Sequence, residues 1–194
     1  NWYLGREHEY EPPKYTTTAS ASINAIAGNY LIGYAETNTL IQRLGDLRNG
    51  EGERNIWARG FGGKFESNSS FIRGFDMSYS GFQVGIDSKF DRKDKKGSYY
   101  VGAMAGYAKG NQDYSGYGSG SIDSKSIGLY GTYMTADNAF YVDLVGKYNW
   151  LTNDYNILDS AGDLVVSNKM HSNGFSISVE VGKRYHFNQT TKRG

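Results

Sequence analysis

Few residues of this chain combine the type and spacing that bond-making chemistry requires. His8, His171 and His186 are its three histidines, and they are too far apart to form a metal-ligand motif. The clusters Gly60 to Lys64 (GFGGK) and Gly116 to Gly120 (GYGSG) lack the spacing of a phosphate loop and read as strand or loop glycine. Cysteine is absent, which removes disulfides and thiolate sites. What remains is a set of polar side chains recurring at alternate positions: Gln83, Asp87 and Lys89; Tyr141, Asp143 and Lys147; Glu180 and Arg184. Charges of both signs two or four residues apart suit a wet surface that neutralises itself. Neither a metal site nor a cofactor is expected.

These residues are carried by segments of period two. In Ala139 to Trp150 an extended chain puts Phe140, Val142, Leu144, Gly146, Tyr148 and Trp150 on one face, and Tyr141, Asp143, Val145, Lys147 and Asn149 on the other. Aromatics sit toward the ends of the first face and aliphatics in its middle, as on a strand crossing a membrane between two interfacial girdles. Five further strands are predicted: Asn55–Phe65, Tyr79–Phe90, Tyr99–Lys109, Ile122–Met134 and about Ser172–Phe187. Phe82, Val84 and Ile86 repeat the apolar face in one of them, and Ile177, Val179 and Val181 in another. In the first strand Trp57, Arg59 and Phe61 share a parity, so either Arg59 faces against type or a bulge intervenes, and that facing stays open.

Half-buried strands of a soluble sandwich alternate in the same way, so the connections have to decide. Links after the second and fourth strands are short, Asp91 to Ser98 and Thr135 to Asn138, whereas Glu66 to Ser78, Gly110 to Ser121 and about Ile157 to Ser167 are longer. Short turns at one end and long loops at the other mark an outer-membrane barrel, and a Greek-key sandwich has no cause to keep that order. The mean hydropathy of -0.61 agrees, because such strands need apolar residues only at alternate positions. No run approaches the roughly 18 apolar residues of a spanning helix. A net charge of +1 with interleaved signs gives no support to a nucleic-acid partner.

Residues 18–50 read as a helix, with Leu40, Leu44 and Leu47 at i, i+4 and i+7. Gly28 and Gly33 each cost about 1 kcal/mol against Ala there, so this helix is expected to be broken or held by its surroundings. Before it, residues 1–17 contain Pro12-Pro13 and read as a junction between two units.

Several short motifs in one order resemble the C-terminal translocator of classical autotransporters, the type V secretion system of Gram-negative bacteria. They are Arg43-Leu44-Gly45-Asp46-Leu47-Arg48, Trp57-Ala58-Arg59, Gly81 to Asp87 (GFQVGID), Gly128 to Tyr133 (GLYGTY), Tyr141-Val142-Asp143 and Val179 to Tyr185 (VEVGKRY). The resemblance implies an all-β transmembrane antiparallel barrel, here the first six of twelve strands over residues 51–194, threaded by the helix. It implies export of the chain's own upstream passenger across the outer membrane, with residues 1–17 as the passenger's end. Outer-membrane lipid, the barrel-assembly machinery and periplasmic chaperones would be the other partners. Some such proteins cut their passenger inside the pore, an Asn of the helix attacking its own backbone beside barrel acids. Aligned on the Arg43 to Arg48 motif, Asn38 falls where that Asn stands, with Asp143 and Glu180 as the acids, but Thr39 departs from the Asn-Asn pattern. The alternative is that Asn38 hydrogen-bonds in a wet lumen while Asp143, Lys147, Glu180 and Arg184 neutralise one another.

Overall fold

The computed structural model describes residues 17–49, 56–67, 74–91, 96–114, 116–137, 139–158 and 162–183. A helix, α1 (Thr17–Asn49), is followed by six strands: β1 (Ile56–Ser67), β2 (Phe75–Asp91), β3 (Gly97–Asp113), β4 (Gly118–Thr135), β5 (Phe140–Leu158) and β6 (Leu164–Lys183). They form one antiparallel sheet in chain order. The stretch 1–16, Arg184, His8, His186 and the segment after them lie outside the described residues.

Register makes every strand two-faced. Ile56, Ile86, Ala103, Leu129, Gly146 and Ile177 lie abreast on the outer face, and Leu129 is 68% exposed. On one side of this row lie Phe82, Tyr107, Lys125 and Trp150, again abreast, and on the other lie Phe90, Tyr99 and Tyr133. Phe82 and Phe90 are eight residues apart, about 26 Å along a strand. A strand tilt of about 35–45° reduces that to about 20 Å, which suits an apolar band between two aromatic rows.

The inner faces close on α1. Gln83, Asp87, Met104, Ser124, Ser126, Tyr130, Thr132, Asp143, Lys147 and Asn149 are all buried there. Trp57, Arg59 and Phe61 share this inner face, and the β1–β2 register runs without a break, so no bulge resolves the parity. Arg59 instead reaches the Asp46 carboxylate on α1.

α1 is one unbroken helix of 33 residues, about 50 Å long. It is held by its surroundings rather than broken. Gly28 lies so close to the wall that an added Cβ would stand 2.5 Å from both Gln112 Nε2 and Ile122 Cδ1. Its buried stripe packs into two apolar clusters. Ala21 and Ile32 meet Met77, Ala108, Tyr114, Tyr117, Ile122 and Ile157. Leu40, Leu44 and Leu47 meet Trp57, Tyr100, Met104, Tyr130, Met134 and Val145. Ile26, Tyr30 and Tyr34 on the opposite stripe are exposed, in a groove of 690 Å³ shared with β6.

The connections differ from the expected loops. β3 and β4 run on to Asp113 and from Gly118, so the expected loop Gly110 to Ser121 is mostly paired strand. There the outward positions turn polar and erase the apolar alternation, while the backbone ladder continues. Its tip folds inward: Tyr114 and Tyr117 are buried and stacked 5.6 Å apart over the start of α1, where Asn24 Nδ2 donates to the Tyr117 hydroxyl at 2.8 Å. The β4–β5 turn is fixed by the Asp137 carboxylate, which accepts from the Thr135 hydroxyl at 2.5 Å and from the Ala139 amide at 3.1 Å.

Candidate functional site: the helix and wall interface

Among the described residues four ionic contacts tie α1 to the wall, one of them the Asp46–Arg59 pair to β1. Glu36 is the central one, with no solvent exposure. Lys147 Nζ donates to its Oε2 at 2.6 Å and to the Gly33 carbonyl at 2.8 Å. Asn149 Nδ2 also donates to Oε2, at 2.5 Å, and the Ser124 hydroxyl donates to Oε1 at 2.9 Å. Gln83 Nε2 adds a bond to the Glu36 carbonyl at 2.9 Å. Four side chains from β2, β4 and β5 thus converge on one helical turn, and a buried charge demands that many partners.

Two turns on, Arg43 presents its planar fork to Asp87, with Nε and Nη2 each 2.9 Å from a carboxylate oxygen. This bidentate geometry is the strong form of the contact. Tyr130 donates to the same carboxylate at 2.8 Å and accepts from Trp57 Nε1 at 2.5 Å. Room for the Tyr130 ring comes from Gly102, where a Cβ would stand 2.3 Å from Tyr130 Cζ. Farther down, Arg48 pairs with Asp143 and lies 4.0 Å over the Tyr141 ring. The Tyr141 hydroxyl in turn donates to Glu180 Oε1 at 2.7 Å. The helix therefore carries two anions, Glu36 and Asp46, and two cations, Arg43 and Arg48, each met by its opposite on the wall, so sliding or rotating it would break several pairs together.

The family profile described as the autotransporter beta-domain matches residues 56–192. The chain belongs to the autotransporter β-domain family. It is 44% identical over 176 residues to a probable autotransporter, YcgV, of Escherichia coli K12, covering 90% of this chain and 18% of that protein. It is 32% identical over 180 residues to the pertactin autotransporter of Bordetella parapertussis, covering 90% and 19%. The chain thus spans about a fifth of the length of these relatives. Among solved structures, the β domain of the Bordetella autotransporter BrkA superposes with a TM-score of 0.60 at 27% identity, over 70% of this chain and 52% of that one. The transport unit of AIDA-I from E. coli shares the fold, with a TM-score of 0.55. The antiparallel barrel wall preceded by a helix is therefore the autotransporter β-domain fold.

Within that fold the residues named from sequence fall in distinct places. Asp87, Gln83, Asp143 and Lys147 are buried against α1. Tyr141 and Glu180 adjoin them near the lower end of the wall. Lys89 shares their parity but lies past the cover of the helix, half exposed, with Nζ 3.5 Å from Asp91. Phe82, Val84, Ile86, Phe140, Leu144, Ile177, Val179 and Val181 are exposed on the outer face, with Val142 partly so. In the helix motif, Arg43, Asp46 and Arg48 hold the ion pairs, Leu47 is core, and Gly45 sits partly buried beside them.

Asn38 lines the groove beside β6, as do Thr37, Ile41 and Ser176. Sequence reasoning missed Glu36, Ser124, Asn149 and Tyr130. Glu36 lies on the stripe that carries Leu40, Leu44 and Leu47, and a charge on such a stripe is the signal that could have found it, though not its partners.

Proposed function

We propose that this chain is the membrane-embedded exporter portion of an outer-membrane autotransporter, carrying its own upstream passenger to the cell surface. What carries the reading is a helix that runs the length of a barrel wall and is pinned by Glu36, Arg43 and Arg48 to a polar inner face. Residues 1–17 are the passenger's end, 18–50 the threading helix and 51–194 the wall. Gln83, Asp87, Lys89, Tyr141, Asp143, Lys147, Glu180 and Arg184 line the pore. The outer face, from Phe82 to Val181, meets lipid. Further strands, reaching twelve in all, close the barrel over Ile26, Tyr30 and Tyr34; that the BrkA β domain is matched over only 52% of its length supports this. The assembly machinery and periplasmic chaperones deliver the chain, and nucleic acid has no part.

The portion is not an enzyme, and the Asn38–Thr39 bond stays intact. Asp143 is committed to Arg48 and Glu180 to Tyr141, and Asn38 sits in regular helix with Thr39 after it. An epitope joined ahead of Thr17 in the intact protein should react with antibody on unpermeabilised cells and be lost from the surface when residues 56–183 are deleted. Surface display that survives the deletion contradicts the export role. Mass spectrometry of the protein from outer membranes should find one chain across Asn38–Thr39; a cut there contradicts the non-enzymatic reading.

A further inference from the structure

Two outward lysines stand apart from the helix interface and from every ion pair of the described residues. Lys125 on β4 lies within the aromatic row on the side of the inward-folded β3–β4 tip, abreast of Tyr107 and of Trp150. Lys109 on β3 lies one step nearer that tip, abreast of Asp123, and so diagonal to Lys125 at about 7–8 Å. Both side chains are exposed. The outward Lys169 of β6, by contrast, is neutralised by Asp154 at 3.7 Å. Asp123, the nearest carboxylate, takes the Tyr107 hydroxyl.

A lysine between a half-buried tyrosine and an exposed tryptophan at a membrane boundary is surrounded by headgroups rather than bulk water, and its ammonium seeks an anion at that depth. Charge complementarity selects the partner: two point cations above two aromatic rings suit a phosphate on a sugar, with the rings against the sugar and upper acyl chain. We propose that Lys109 and Lys125 bind the phosphate of a phosphorylated glycolipid in the outer leaflet. The site rests on the outer-membrane reading above, with the β3–β4 tip outside.

The intact protein, folded in detergent, is titrated with a bisphosphorylated lipid A and with the same lipid stripped of phosphate, and its heat-unfolding midpoint is followed. The phosphorylated lipid should raise the midpoint and the stripped one should not. Lys109→Gln with Lys125→Gln should weaken the response at least tenfold, while Lys169→Gln should leave it unchanged. Equal responses to the two lipids, or an undiminished response of the double variant, overturn the site. The double variant should still display the upstream epitope on cells, so loss of lipid binding is distinguishable from failure of the exporter reading.

Discussion

Lys147 Nζ lies 2.6 Å from Glu36 Oε2, and both side chains are fully shielded from solvent. They come from elements 111 residues apart in the chain. Lys147→Met leaves the Glu36 charge buried with only Ser124 and Asn149 to hold it, a loss of about 3–5 kcal/mol. Adding Glu36→Leu removes the orphaned charge and should recover much of that loss. Heat-unfolding midpoints of the two variants and the wild type check this. A double variant as unstable as Lys147→Met would mean that the pair does not set the stability.

Two helix glycines should respond in opposite directions. At Gly28 a methyl group would push on Ile122 and on Gln112, whose Nε2 donates to the Asn24 carbonyl at 2.8 Å. Gly28→Ala should therefore destabilise by about 1–3 kcal/mol through overpacking. At Gly33 nothing stands within 4 Å of an added Cβ, so Gly33→Ala should stabilise by up to about 1 kcal/mol. Denaturant unfolding of both variants gives the comparison.

These glycines also show how legible the chain was. Period two was readable in β2 and β5 because each face there is chemically uniform. β1 was not, because Trp57 and Arg59 both point inward, each held by its own partner: Trp57 bonds to Tyr130 and Arg59 to Asp46. The extension of β3 and β4 past the aromatic row was hidden because outward residues such as Asn111 and Ser119 are polar there. Glu36 escaped notice because its partners are fixed by tertiary packing, which a local period does not encode. The resemblance located the Arg43 to Arg48 motif, whose two arginines hold Asp87 and Asp143.

Cost on the outer face should depend on depth. Leu129 sits in the middle row and Trp150 in the aromatic row. Leu129→Arg should cost about 2–4 kcal/mol and Trp150→Arg about 0–1 from the charge itself, beyond the lost ring packing. Folding titrations in lipid vesicles measure both. Equal costs would count against a membrane boundary at Trp150.

The β4–β5 turn carries a pH signature. The Thr135 hydroxyl and then the Ala139 amide hold the Asp137 carboxyl below its usual range. A group whose pKa is lowered on folding contributes stability above its unfolded pKa and loses it as pH falls through the folded one. The difference in unfolding midpoint between wild type and Asp137→Asn should therefore shrink on acidification through the carboxylate range. A difference that stays constant would remove the role of the charge.

The central claim is that α1 leads from a cell-surface end, beside Tyr114 and Tyr117, down to periplasmic turns. This chain has no cysteine, and in an intact protein freed of any cysteine elsewhere two single cysteines report it: Ser119→Cys at the β3–β4 tip and Ala136→Cys in the β4–β5 turn. A membrane-impermeant maleimide on cells expressing the intact protein should label position 119 directly and position 136 only after the outer membrane is permeabilised. Labelling of 136 on intact cells with 119 protected would contradict the account.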